Sequence, residues 1–419
     1  MVNLFDTFVA QLDEAAELLN LDSAARELLR RPRREFSFTV TMGKDDGSYA
    51  VFPGFRVQYN DARGPTYGGV RFGPGETADK TRARAAWTAW KTALADLPLG
   101  GAYGAITCDP EGLSTREVEA TARGYARAAV SFIGPERDII APDIYAPPGT
   151  RAWMADELSV VNGGRFSYAA ASVADETSAF VNSGEAYAKG GVFCVREAAK
   201  YLNIELKGAR TVVYGFNAVG AAAAKLSTEH FGSRIIAVAD PSGGIYNPDG
   251  LNADDVGEFI QRTGSLADFP GAENVKPEDV LELECDVLWA VDDALWASYG
   301  EGVISAENAD RVKARILAEA ADGLTTPEAD KILHDGGVFV IPDVLCTAGA
   351  VIAPYFRRAA NPADGRELEN IKLRLDDRIT KAFHTVLEER NARNIRMQAA
   401  AGAIAVERIV EAMKRRGWC

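Results

Sequence analysis

The stretch Arg210–Gly243, RTVVYGFNAVGAAAAKLSTEHFGSRIIAVADPSG, sets out strand, turn, helix and strand in order. RTVVYGF is a β-branched apolar run, AVGAAAAKLSTEHF is alanine-rich and of helical length, and RIIAVADPSG is a second apolar run ending in turn residues. That is a βαβ unit. The turn Gly215-Phe216-Asn217-Ala218-Val219-Gly220 sits where a dinucleotide-binding loop sits, with Asp240 at the end of the next strand. The first glycine makes the tight turn, the last permits close helix packing, and the helix N-terminus faces a pyrophosphate. Asn217 takes the place of the middle glycine; asparagine tolerates a left-handed backbone, but its side chain adds bulk where a phosphate approaches. Asp240 would bond ribose hydroxyls and repel a 2′-phosphate, which favours NAD over NADP as cofactor.

Working outward, VFCVREAAKYLN reads as a helix before this unit, and CDVLWAV and GVFVIPD as strands after it, with ADRVKARILAEAA between them. The expected result is an open, mainly parallel sheet up to about residue 345. Toward the N-terminus, residues 3–30 read as helix, REFSFTVTM and SYAVFPGFRVQYND as half-buried strands, and 76–96 and 114–133 as helices. RAWMADELSVV is a further helix, and the Gly/Ser/Ala-rich passage from Asn162 to Ser183 is the candidate hinge between domains. From Gly349 onward the chain is long helix.

Composition narrows the function classes. The chain has 419 residues, 47% hydrophobic and 25% charged, which suits a soluble globular protein of two or three domains. A net charge of −14 and a pI near 4.9 argue against nucleic acid as a partner. The five cysteines, at 108, 194, 285, 346 and 419, and the three histidines, at 230, 334 and 384, show no metal-ligand spacing. Reduced, mostly buried thiols and no metal are expected. No basic start with an apolar run opens the chain and no apolar run of membrane-spanning length occurs, so a cytoplasmic location without membrane contact is expected.

A second stretch places the chemistry. In Lys91–Pro110, KTALADLPLGGAYGAITCDP, a lysine closes a helix rich in Ala and Trp, a proline stops it, and GGAYGA brings bare backbone into a crowded place. This stretch resembles the glutamate/leucine/phenylalanine/valine dehydrogenase superfamily, closest to glutamate dehydrogenase, whose pattern is near K-x-A-x-A-x-L-P-x-G-G-G-K-G-G-x-x-x-D-P. GPTYGGVRF, IGPERDIIAPDIYAPPGTRAWMADE, ADPSGGIYNPDGL, TTPEAD and AVERIVEAMKRRGW extend the resemblance from about residue 30 to the end.

The resemblance implies an α/β fold: a substrate and oligomerisation domain at 1–183, a Rossmann-type dinucleotide domain at 184–346, and helices at 347–419 returning to the first domain, with a cleft between the domains. Carried over one at a time, Lys91 stands at the lysine that holds the substrate α-carboxylate, and Asp143 at the aspartate that shuttles protons to the substrate nitrogen. Tyr103 stands at the lysine that serves as acid/base. Tyr67 replaces a lysine, and Pro354 the serine, that together hold a glutamate side-chain carboxylate. Thr347 and Asp322 replace asparagines, and Ala188 falls at the threonine that meets the nicotinamide amide. A phenol titrates near 10, so Tyr103 is a poor base at neutral pH but a workable donor to a developing oxyanion.

The expected function is therefore NAD-dependent oxidoreduction at the CH–NH2 group of an amino acid less acidic than glutamate. The alternative is a non-catalytic family member that regulates an active paralogue, and a third class is a ligand-sensing module without turnover. Expected partners are an amino or keto acid and further subunits, in a homohexamer or a hetero-oligomer with a paralogue.

Overall fold

A computed structural model describes residues 3–161, 163, 180–181, 184–291, 303–359 and 366–419; of the candidate hinge, only Gly163, Phe180 and Val181 fall among them. The chain groups into an N-terminal unit, Asn3–Asn182 with Arg357–Leu368 and Ala405–Cys419, and a second unit, Ser183–Phe356 with Glu369–Ile404 and the first two residues.

The N-terminal unit begins with α1 (Leu4–Leu18) and α2 (Ser23–Leu29). The single helix expected over 3–30 is broken where Asn20 turns left-handed at φ 49 and Asp22 caps α2 by accepting the Ala25 N–H at 2.8 Å. There follow β1 (Arg34–Gly43), β2 (Tyr49–Asn60), β3 (Thr66–Gly68), β4 (Val70–Phe72), α3 (Ala78–Leu94), β5 (Gly101–Ile106), α4 (Thr115–Ala129), β6 (Asp138–Ile140) and α5 (Thr150–Val161). One sheet runs β1-β2-β5-β4, and β3 pairs with β6 separately.

Strand period decides what β5 presents to each side. A Cβ on Gly101 would sit 2.3 Å from the Ala89 nitrogen of α3, and one on Gly104 would sit 2.2 Å from the Tyr125 hydroxyl of α4. The two helices therefore cover opposite faces. Tyr103 shares the parity of Gly101 and faces α3. The alanines of α3 let it lie close to the sheet, while its Trp87 and Trp90 are fully buried against Phe8 of α1, with ring centroids 6.2 and 5.0 Å away.

In the second unit, α6 (Gly184–Leu202) precedes β7 (Arg210–Tyr214), α7 (Ala218–Phe231), β8 (Arg234–Asp240), β9 (Gly243–Leu251), α8 (Ala253–Thr263), β10 (Glu273–Val275), α9 (Pro277–Leu281), β11 (Cys285–Ala290), β12 (Ala314–Glu319), α10 (Pro327–Asp335), β13 (Phe339–Ile341) and α11 (Asp343–Cys346). The sheet order is β10-β9-β8-β7-β11-β12-β13, parallel from β8 to β13 and antiparallel at the β8-β9-β10 edge. This is the Rossmann-type, mainly parallel sheet read from the sequence. The tail forms α12 (Gly349–Ala359), α13 (Glu367–Arg393) and α14 (Met397–Arg415).

The tail, expected to return to the first domain, divides between the units. Arg196 of α6 bonds Asp376 of α13 at 2.6 and 2.9 Å, and His384 meets Glu197 at 3.0 Å, which ties α13 to the second unit. Arg408 of α14 donates to the Ala93 and Leu94 carbonyls at the end of α3, at 2.8 and 2.9 Å, and belongs to the N-terminal unit. Among the described residues no helix is long and apolar enough to cross a membrane.

A buried acid pair holds the end of the parallel sheet. Glu319 closes β12 and accepts the Asp343 N–H at 3.2 Å, while the Asp343 carboxylate accepts the Gly323 and Val344 N–H groups at 2.9 and 2.6 Å. Burial first, then the Asp343 charge, push the Glu319 carboxyl well above the ordinary glutamate range. An acid whose folded pKa is raised contributes stability that is complete below its unfolded pKa and is lost as pH rises to the folded value. Glu319→Gln is therefore expected to raise the melting temperature more at pH 8 than at pH 5. Melting curves of both proteins across that range check this, and a difference independent of pH would contradict it.

Candidate active site

Four of the expected site residues lie in the N-terminal unit. Lys91 is on the last turn of α3 and is buried, as is Tyr67 on β3. Tyr103 on β5 is half-buried, and its hydroxyl donates a hydrogen bond to the Asp143 carboxylate across 40 residues of sequence. Asp143 follows β6 in a loop whose turn it stabilises by accepting the Tyr145 N–H at 2.9 Å. The structure thus joins two of the expected site residues directly.

The backbone makes this approach possible. A Cβ on Gly69 would stand 2.3 Å from the Asp143 Oδ2, and one on Gly68 would stand 1.6 Å from the Ala102 carbonyl oxygen. Only glycine at both positions lets the segment after Tyr67 pass between β5 and the Asp143 loop. Asp143 keeps some residue surface while its carboxyl is enclosed by protein. That enclosure raises its pKa, against the lowering effects of the Tyr103 hydrogen bond and of Arg71 and Arg84.

Arg71, Glu76, Arg84 and Tyr145 were not among the expected site residues. Glu76 bridges two arginines, Arg84 at 2.5 Å and Arg71 at 3.3 Å. The Arg71 guanidinium lies 3.7 Å over the Tyr145 ring, and that of Arg84 lies 5.7 Å over the Tyr103 ring. A signal for Arg84 was present in the spacing. It precedes Lys91 by seven residues, two helical turns, and so shares its face.

The other expected site residues are carried by the second unit. Gly215 directly follows β7 at φ 108, a conformation that calls for glycine, and a Cβ on Gly220 would fall 1.9 Å from the Gly215 carbonyl oxygen. Asn217 is the N-cap of α7, and its Oδ1 accepts the Val219 and Gly220 N–H groups at 2.9 and 3.1 Å. Asp240 ends β8, and its Oδ1 accepts the Ser242 N–H at 2.7 Å. Thr347 is buried at the C-cap of α11, donating to the Asp343 carbonyl at 2.7 Å, and Pro354 is buried inside α12. Ala188 is fully buried in α6, and Asp322 lies in the loop after β12.

Two family models match the chain: Glu/Leu/Phe/Val dehydrogenase, dimerisation domain, over residues 32–160, and Glutamate/Leucine/Phenylalanine/Valine dehydrogenase over residues 182–417. The chain belongs to this dehydrogenase family. It is 37% identical to a glutamate dehydrogenase of Thermotoga maritima over 416 residues, 99% of this chain and 98% of that protein. It is 36% identical to the cryptic catabolic NAD-specific glutamate dehydrogenase GudB of Bacillus subtilis, over 97% and 94% of the two chains. Among solved structures, the hetero-hexameric glutamate dehydrogenase of Thermus thermophilus in its Leu-bound form superposes with a TM-score of 0.87 at 33% identity, covering 99% of this chain and 97% of that one.

Family membership raises the question of a dinucleotide, and the residues present fit one unevenly. Asp240 suits a ribose, and the two glycines let helix and turn pack closely. The amides that would face a pyrophosphate, however, are already bonded to Asn217. Asn217→Gly is expected to tighten NAD binding about threefold, since an amide hydrogen bond contributes about 1 kcal/mol net and glycine costs a cap only a few tenths. Calorimetric titration of both proteins checks this; equal or weaker binding by the variant would mean that the cap does not compete.

Proposed function

We propose that the chain is an NAD-dependent oxidoreductase that oxidatively deaminates an amino acid with an apolar or aromatic side chain, and reductively aminates the matching keto acid. The observation that carries this reading is the Tyr103–Asp143 hydrogen bond, a phenol and a carboxyl joined on the face of β5 that α3 covers. The Lys91 ammonium holds the substrate α-carboxylate. Asp143, its pKa raised by burial, takes a proton from the substrate nitrogen and returns it. Tyr103 turns its single O–H from Asp143 to the oxygen that forms when water adds at the α-carbon. The dinucleotide, when bound, supplies the hydride acceptor. Tyr67 offers no cation to a side-chain carboxylate, so glutamate is disfavoured. In this reading residues 1–183 serve substrate and assembly, 184–346 the dinucleotide, and the assembly is a hexamer.

The test is hydride transfer in both directions with NAD and NADP, ammonium, and panels of amino and keto acids. Turnover of apolar substrates above glutamate is expected, with a larger thermal shift from NAD than from NADP because of Asp240. Absence of turnover with every substrate overturns this reading. A second reading is then favoured by the amides occupied by Asn217 and by the hetero-hexameric Thermus relative: a regulatory subunit of a catalytic paralogue. Its test is co-purification with such a paralogue and a change in the paralogue's rate.

A further inference from the structure

A cavity of about 490 Å3 lies wholly within the N-terminal unit. Its lining brings together Arg34, Arg137 and Arg416 with Asp61 and Glu136, along a wall made by Phe36 and Phe132. The two rings stack flat, 3.8 Å between centroids and 1° between planes. Asp61 is committed to Arg34 at 3.0 Å and to Arg33 at 3.7 Å. Arg137 donates to the Ser131 carbonyl at 3.1 Å, and among the described residues neither it nor Arg416 makes an ion pair. Three guanidinium groups face two carboxylates, a net positive lining in a chain that is acidic overall, and Arg137 and Arg416 are the two of the three outside any ion pair among the described residues.

The floor of the cavity leads inward. Gln58, buried beneath Arg34, donates to the Asp138 carboxylate at 2.9 Å and to the Phe132 carbonyl at 3.1 Å. Asp138 is held by Arg56 at 2.8 and 2.5 Å, and Arg56 also donates to the Gly69 and Gly68 carbonyls at 2.9 and 3.2 Å. Those two glycines are the ones that allow Asp143 its position. One unbroken hydrogen-bonded chain therefore runs from the cavity to the backbone beside the Tyr103–Asp143 pair.

We propose that this cavity is a regulatory site for a small organic dianion, a phosphate monoester or a dicarboxylate, whose body lies along Phe36–Phe132 and whose occupancy stiffens the Gly68–Gly69 segment. With Arg34 committed to Asp61, the two guanidinium groups of Arg137 and Arg416 are left to meet an anion, which favours a dianion over a monoanion, and the planar guanidinium fork suits both oxyanion types. Exposed Arg137 and Arg416 supply the charge at the mouth, and the buried Gln58–Asp138–Arg56 relay carries the effect inward.

The experiment uses the full chain at low salt and pH 8, with phenyl phosphate and phthalate as dianions and benzoate as the monoanion. Calorimetric titration is expected to show saturable binding of at least one dianion, about tenfold tighter than benzoate, and about tenfold weaker binding in Arg137→Ala/Arg416→Ala. Tighter phenyl phosphate assigns the site to phosphate monoesters, and tighter phthalate to dicarboxylates. Amide exchange at Gly68 and Gly69 is expected to slow about twofold on binding. Asp143→Asn, which removes the proposed acid/base, is expected to bind the probes as the wild type does, so failure of the reaction and failure of this site are separable. No binding of either dianion, or equal affinity for benzoate or in the double variant, overturns the site. Binding without slowed exchange overturns its coupling to Asp143.

Discussion

Tyr103→Phe is expected to lower amino-acid oxidation by about 10²–10³-fold, the range usual for loss of one oxyanion donor, with NAD binding unchanged. The variant keeps the ring under Arg84 and removes only the hydroxyl that donates to Asp143. Its second consequence has a definite sign. The Tyr103 hydrogen bond lowers the Asp143 pKa, against the larger raising effect of burial, so removing the hydroxyl raises that pKa further. The acid limb of the kcat/KM profile, where Asp143 must be ionised to accept a proton, therefore moves to higher pH in whatever activity remains. Rate profiles of wild type, Tyr103→Phe and Asp143→Asn check both parts. Full activity in the phenylalanine variant would assign the oxyanion donor elsewhere. If the chain instead regulates a paralogue, the substitution leaves that effect intact.

The parts of this fold that could be read from sequence are those in which local pattern and tertiary role agree. RTVVYGF and RIIAVADPSG are β-branched and become central parallel strands, and the alanine-rich run between them becomes α7. ARILAE is different: its Ala, Leu, Arg and Glu are helix formers, yet it forms β12 because β11 and β13 flank it on both sides. The antiparallel strand β9, between β10 and β8, contains Pro248 and two glycines after its first residue, residues that ordinarily signal a turn. At the candidate active site, Lys91, Tyr103 and Asp143 were found one by one through their motifs. Their mutual geometry was not, because a hydrogen bond spanning 40 residues has no local signature. Asn217 was read for its bulk near a phosphate, although an asparagine directly before a helix also announces a cap that takes up the amides.

Arg56→Met is expected to destabilise the N-terminal unit by about 3–5 kcal/mol, the usual cost of breaking a buried ion pair by removing one partner. Both Arg56 and Asp138 are fully enclosed. Burial works against the Arg56 charge, but the Asp138 carboxylate more than offsets it and the net pKa shift is upward, so the guanidinium is charged at any pH the protein survives. Without it, Asp138 keeps the Gln58 amide as a partner but no cation, and the Gly68 and Gly69 carbonyls lose a donor. Arg56→Met/Asp138→Leu is expected to recover much of the loss, since an apolar pair avoids desolvating two charges, and the two substitutions therefore do not add. Urea denaturation of the three variants measures this. The double variant also separates stability from catalysis: it restores a packed interior but not the anchor on the Gly68–Gly69 carbonyls. Its kcat is therefore expected to stay below wild type even when its melting temperature does not. Recovery of both together would show that packing alone places Asp143.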